Sequence, residues 1–258
     1  MHPLLSWLTT LVFLPVFALV MAGFDVAQRI ARLFGQRPQE HVAGALQWAL
    51  VQAFRICGTR LVVERSPKVR PKQPYIIVSN HQSMFDIAIL GALFYSNFPK
   101  YIAKRSLGRW IPSVSYNLRA GGHVLIDRSD APTALAAIRE LGRRVHAGRA
   151  SAMIFPEGTR ARRGALGPFR PGGFMALLEE APKTAIVPVA IDESWRLLQH
   201  NFLPVPFGVR VHVHIGAPIA RHPGEDGLAL LERVRREIVW ALERWRGSGR
   251  VVAPGTTR

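Results

Sequence analysis

Cysteine is nearly absent from the chain. One thiol, Cys57, in 258 residues excludes an intramolecular disulfide and fits a reducing compartment. Acidic residues are scarce too: 17 Asp and Glu face 34 Lys and Arg, for a net charge of +17. A surplus of that size calls for an anionic partner, either nucleic acid or an anionic lipid surface. The aromatic residues are not interleaved with Lys and Arg as a base-stacking platform requires, and neither zinc-finger nor helix-turn-helix spacing occurs. No nucleic-acid partner is therefore expected. Internal repeats are missing, and no linker splits the chain beyond residue 58, so one good-sized core is expected.

Charge is missing altogether from residues 3–24. That run is long enough to cross a bilayer core of about 30 Å. No Lys or Arg precedes it, unlike a cleaved signal peptide. Arg29, Arg32 and Arg37 follow it, against Asp25 and Glu40. If the run spans, the positive-inside tendency leaves the rest of the chain in the cytoplasm. Residues 39–57 make a second apolar, helix-like stretch, interrupted by His41, Gln47 and Gln52. The two stretches fit a single span and a hairpin lying in one leaflet about equally well. The expected organisation is a membrane anchor over 1–57, a folded domain over 58–246 and a loose basic tail over 247–258.

Past residue 58, short β-branched runs alternate with helix-like segments, which argues for an α/β fold. Strands are expected at 61–64, 75–79, 100–103, 123–126, 151–155, 186–191 and 209–215, and helices at 83–94, 131–147, 173–180 and 226–246. Asp130 is a candidate cap for the second helix, with Pro132 in its first turn. The last helix is expected to turn Leu228, Leu231, Val234, Ile238 and Leu242 inward and its arginines, Arg246 among them, outward. His212 and His214 alternate on one strand face, but no Cys or carboxylate nearby completes a metal set, so they read as a polar strand face.

The most informative stretch is Asn80-His81-Gln82-Ser83-Met84-Phe85-Asp86, directly after an apolar strand. Five helical steps put His81 and Asp86 about 140° apart, so they meet only if His81 lies in the loop and Asp86 in the first turn of the helix. Ser83-x-x-Asp86 before Ile87-Ala88-Ile89-Leu90 is a capping-box-like start that permits this. Asp86 would then hold one imidazole nitrogen while the other takes a proton from a nucleophile. Alone, the window favours the plain reading of a helix cap beside a loop histidine. A second motif, Phe155-Pro156-Glu157-Gly158-Thr159-Arg160, also falls where a strand ends. Gly158 permits close backbone approach to a ligand, and Arg160 offers a fork of donors suited to phosphate.

Together these blocks resemble the glycerolipid acyltransferases, the family of 1-acylglycerol-3-phosphate acyltransferases. Residues 80–86 match that family's His-x4-Asp block, and 155–160 match its Phe-Pro-Glu-Gly-Thr-Arg block letter for letter. Lys104-Arg105-Ser106-Leu107 with Ile126-Asp127-Arg128 resemble its second block, and Val187-Pro188-Val189-Ala190-Ile191 its fourth. All four stand in the family's order. Ser106 takes the place of the usual glutamate, and Phe169-Arg170-Pro171-Gly172 the place of a Phe-Lys-x-Gly segment.

The resemblance implies a central mixed sheet flanked by helices, carried on an N-terminal hydrophobic helical anchor of the bilayer. It implies transfer of an acyl chain from acyl-CoA or acyl carrier protein to the free hydroxyl of lysophosphatidic acid, forming phosphatidic acid. His81 would be the general base and Asp86 its orienting partner. Lys104, Arg128 and Arg160 would hold the acceptor's phosphate, and Glu157 would order the phosphate-binding loop or contact the glycerol. Gly158 would allow close approach with Thr159 also at the substrate, and Pro188 would help shape the acyl pocket. No metal or redox cofactor is implied. Another lysophospholipid or an acylated amino-acid lipid would suit the same catalytic pair, a thioesterase is the next reading, and a basic tethered binding protein the third.

Overall fold

The computed structural model describes residues 3–222 and 224–247; of the tail expected at 247–258, all but Gly247 lies outside them. Seven strands form one mixed sheet: β1 (Arg60–Arg65), β2 (Ile76–Ser79), β3 (Pro99–Lys104), β4 (Val124–Ile126), β5 (Ser151–Ile154), β6 (Ile186–Asp192) and β7 (Arg210–Ile215). Their order is β1-β7-β6-β2-β5-β3-β4, parallel throughout except where β7 runs against β6. The alternation of side chains divides the core in two. Ile76, Val78, Ala152, Ile154, Ile186 and Ala190 face α5 (Ala131–His146), α6 (Pro171–Glu180) and α7 (Gly227–Arg246). Ile77, Met153, Val187, Val189 and Ile191 face α1 (Pro3–Leu33), α2 (Gln36–Ala53) and α3 (Asp86–Leu93). The expected mixed sheet flanked by helices is what forms.

The first helix is inside-out. Its buried residues include Ser6, Thr10 and Gln28, whereas Leu4, Leu8, Leu11, Leu19, Ile30 and Leu33 face outward, Leu33 at 82% exposure. The polar residues fasten α1 along its length: Ser6 Oγ accepts from Phe207 N–H at 3.0 Å, Thr10 Oγ1 from Val205 N–H at 3.0 Å, and Gln28 Nε2 donates to Ser113 O at 3.2 Å. A helix of 31 residues is roughly 46 Å long, and both of its ends touch the same body. That geometry favours a hairpin lying along the sheet domain over an isolated span.

The second helix is bolted on by a buried ion pair. Lys100 Nζ donates to Glu40 Oε1 at 2.6 Å and to Gly121 O at 2.7 Å, and both side chains are nearly inaccessible. Burial pushes the Glu40 carboxyl up, but the hydrogen bond and charge of Lys100 outweigh it and hold the group below its ordinary 4.5. A lowered carboxyl pKa stabilises the fold above the ordinary value and ceases to do so as pH falls through the depressed one. Glu40→Leu should cost about 3–5 kcal/mol because Lys100 is left buried and unpaired, and Glu40→Leu with Lys100→Met should recover most of that loss. Thermal melts in detergent at neutral pH and at pH 4 measure both effects; the double variant should lose less on acidification than the wild type.

Two expectations for α7 are corrected. Leu230 is buried and Leu228 is 54% exposed, because Asp226 caps the helix by accepting from the N–H groups of Leu228 and Ala229 and sets its rotation. Arg246 points inward, where it pairs with Asp192 and donates to Gly164 O at 2.9 Å. His212 meets Trp245 in a tilted ring contact and His214 meets Trp240 edge-on, and no metal set of three ligands exists among the described residues.

Candidate active site

Strands β2 and β5 are neighbours in register, Val78 beside Ile154, so the loops that follow them emerge side by side at the carboxyl ends of the sheet. That edge is where open α/β sheets gather ligands. The loop after β2 carries residues 80–86, and the loop after β5 carries residues 155–160. Asn80 fixes the start of the first loop by mimicking a strand residue. Its Nδ2 donates to Ile191 O and its Oδ1 accepts from Ile191 N–H, each at 2.8 Å.

His81 lies in the loop and Asp86 at the first residue of α3, as the spacing requires. The imidazole Nδ1 meets Asp86 Oδ2 at 2.9 Å. The same oxygen accepts from the N–H groups of Gln82 at 2.7 Å and Ser83 at 2.8 Å, while Oδ1 accepts from Ser194 Oγ at 2.6 Å. Backbone N–H groups can only donate, so Oδ2 is an acceptor and the Nδ1 beside it carries the proton. The Nε2 of a neutral ring is then the free base. Asp86 is fully buried and the His81 side chain is 15% exposed, stacked on Phe155 with centroids 4.2 Å apart. The capping box forms by half: Asp86 reaches back to Ser83 N–H, but Ser83 Oγ accepts from Phe85 N–H at 3.3 Å instead of from Asp86.

Glu157 braces this loop from below. Its Oε1 accepts from His81 N–H at 2.7 Å and its Oε2 from Gly167 N–H at 2.8 Å, and the residue is buried. Burial pushes its carboxyl up, while those two bonds pull it the other way. Ala161 N–H closes the junction by donating to His81 O at 2.7 Å. Gly158 takes φ +70°, a region that glycine enters without strain. Glu157→Gln should cost about 1–3 kcal/mol although it is isosteric, since one amide oxygen serves only one of the two N–H groups and the NH2 faces the other. Chemical denaturation of the two proteins side by side measures it.

The sequence-predicted cations gather on the same edge. Lys104 ends β3 in register with Ile126 of β4, and Arg128 follows two residues on. Arg160 and Thr159 stand exposed on the loop after β5. Lys104, Arg128 and Arg160 form no salt bridge among the described residues, so their charge is available to an anion. Pro188 stands apart: it is buried in mid-β6 beside Val78, on the sheet face opposite α1–α3, and its carbonyl accepts from Gly216 N–H at 2.9 Å. Sequence reasoning missed Ser194, whose contact with Asp86 spans 108 residues. It also missed the chain from Gln82 Nε2 to Asp192 Oδ1 at 3.1 Å and on to Arg246.

An imidazole held by a buried carboxylate can deprotonate a hydroxyl, and the cations on the same edge of the sheet suit a phosphate-bearing substrate. Comparison with known proteins agrees in kind. The chain is 29% identical over 196 residues to the human 1-acyl-sn-glycerol-3-phosphate acyltransferase alpha, covering 75% of this chain and 68% of that one. It is 30% identical over 198 residues to the Saccharomyces cerevisiae 1-acyl-sn-glycerol-3-phosphate acyltransferase, covering 73% and 62%. The fold matches the crystal structure of the 1-acyl-sn-glycerophosphate acyltransferase PlsC from Thermotoga maritima with a TM-score of 0.77 at 22% identity, covering 96% of this chain and 98% of that one. The Acyltransferase family model matches residues 60–192, half of the chain, with His81, Asp86, Glu157 and the three cations inside it, and the chain belongs to that family.

Proposed function

We propose that the chain transfers an acyl group from a thioester, on coenzyme A or acyl carrier protein, to the free hydroxyl of lysophosphatidic acid, giving phosphatidic acid. The observation that carries this reading is the His81–Asp86 pair at 2.9 Å, which leaves the other ring nitrogen free. His81 Nε2 takes the proton of the acceptor hydroxyl as the oxygen attacks the thioester carbonyl. The tetrahedral adduct collapses, the C–S bond breaks, and the imidazolium returns the proton to the leaving thiolate. Asp86 stabilises the imidazolium in between. Lys104, Arg128 and Arg160 hold the acceptor's phosphate, and Glu157 acts on the loop instead of the substrate.

The outward leucines of α1 support a seat at a bilayer, where a lipid acceptor resides. The cationic surface suits the cytoplasmic face, whose lipids are anionic. A cation that binds phosphate equally in ground and transition states affects KM and not kcat. Arg160→Ala should therefore raise the KM for lysophosphatidic acid about 10–100-fold, the loss expected for a charge-assisted contact, with kcat within a few-fold of wild type. Steady-state kinetics over the acceptor concentration checks this, and an unchanged KM would remove Arg160 from the phosphate site.

A further inference from the structure

Two adjoining cavities at the edge of the sheet share no residue with the His81 site. The first, about 520 Å³, is lined by Val51, Phe54, Leu61, Ile89 and Leu197 and has cations at its rim; the second, about 430 Å³, reaches Phe207 and Arg210. Arg55, Thr59 and Arg60 line both. Arg60 and Arg210 are paired across β1 and β7, like charge beside like charge on exposed backbone positions. Such a pair is destabilising unless an anion lies between. No acidic residue lines either cavity, and none of the three arginines forms a salt bridge among the described residues; Arg55 donates to Gln52 Oε1 at 3.0 Å. Independently, Thr59 is 6% exposed and its Oγ1 has no hydrogen-bond partner among the described residues. A buried hydroxyl in that condition is costly and marks a place for a ligand atom.

We infer that this pair of cavities binds one anionic phospholipid, its phosphate on Arg55, Arg60, Arg210 and Thr59 and an acyl chain in the apolar cavity. A phosphate site joined to an apolar space within the ordinary volume range of ligand pockets describes an amphiphile. The bilayer is the source, because Phe207 N–H is bonded to Ser6 at the N-terminal end of α1, where Leu4, Leu8 and Leu11 face outward. The lipid would tie the anchor hairpin to the edge strand, apart from the site of chemistry. The inference does not rest on the acyl-transfer reading.

The test is native mass spectrometry of the full chain in neutral detergent, titrated with phosphatidylglycerol and, separately, phosphatidylcholine. The wild type should hold one phosphatidylglycerol per chain in preference to phosphatidylcholine, and Arg60→Gln with Arg210→Gln should weaken it at least about tenfold. Arg139→Gln with Arg143→Gln, which removes equal charge from α5, should leave it unchanged. Thr59→Val separates a ligand role from a structural one: it should weaken the lipid several-fold while leaving the melting temperature of the lipid-free protein equal or higher. Inorganic phosphate at millimolar concentration should not displace the lipid. Three results overturn the inference: equal binding by the Arg60/Arg210 variant, equal loss in the α5 control, or displacement of the lipid by stoichiometric acyl-CoA. The last would give the cavities to the thioester donor.

Discussion

His81→Ala is expected to lower turnover roughly 10²–10⁴-fold, the contribution of a positioned general base. The substitution should leave the fold in place. The backbone of residue 81 stays bonded through its N–H to Glu157 and through its carbonyl to Ala161 N–H, and neither bond involves the ring. What goes is the imidazole, its bond to Asp86 and its stacking on Phe155. A loss of activity with an unchanged melting temperature therefore locates the effect in the chemistry. Turnover within a few-fold of wild type would mean that the base lies elsewhere.

Asp86→Asn is expected to cost a comparable factor, on the order of 10²–10⁴, by a different route. An asparagine oxygen in the place of Oδ2 still accepts from Gln82 N–H, Ser83 N–H and the ring, and its NH2 meets Ser194 Oγ, a hydroxyl able to accept. Geometry is thereby kept while the negative charge that stabilises the imidazolium is lost. The loss should fall in kcat more than in KM, because the charge matters after the proton has moved. Asp86→Ala, by contrast, leaves buried N–H groups without a partner and should destabilise the protein as well, so circular dichroism melts distinguish the two variants.

Much of this was legible in the residues, and the exceptions share a physical cause. All seven strands appear within a residue or two of where β-branched runs ended at turn residues. The spacing made a His81–Asp86 contact possible, because a five-residue interval is local geometry, and the second motif decided in its favour. The helix α4 (Val114–Ala120) was not anticipated. It is short, and it is fixed by distant partners: Ser113 N–H donates to Asp25 Oδ1 at 2.7 Å and Ser113 Oγ to Met21 O at 2.6 Å.

Long-range pairing explains the other misses. Ser194 on Asp86 and Arg246 on Asp192 depend on strands brought together by the sheet order, and helical periodicity alone sends Arg246 to solvent. Hydropathy likewise found the apolar run of α1 but could not say which side it turns to the protein. Ser6, Thr10 and Gln28 turn inward because the loops at 205–207 and 113 offer them hydrogen bonds. The partners of Glu157 are similarly nonlocal: the motif left it to order the loop or to meet the substrate, and the fold uses both of its oxygens on backbone N–H groups.

The central claim is that His81, oriented by Asp86, directs an acceptor hydroxyl and not water at a thioester. The most direct test supplies acyl-labelled acyl-CoA and lysophosphatidic acid to the full chain in mixed micelles and separates the lipid products, with His81→Ala alongside. The account predicts labelled phosphatidic acid from the wild type and almost none from the variant. Label recovered only as free fatty acid, with lysophosphatidic acid untouched, would contradict it and make the same dyad that of a thioesterase.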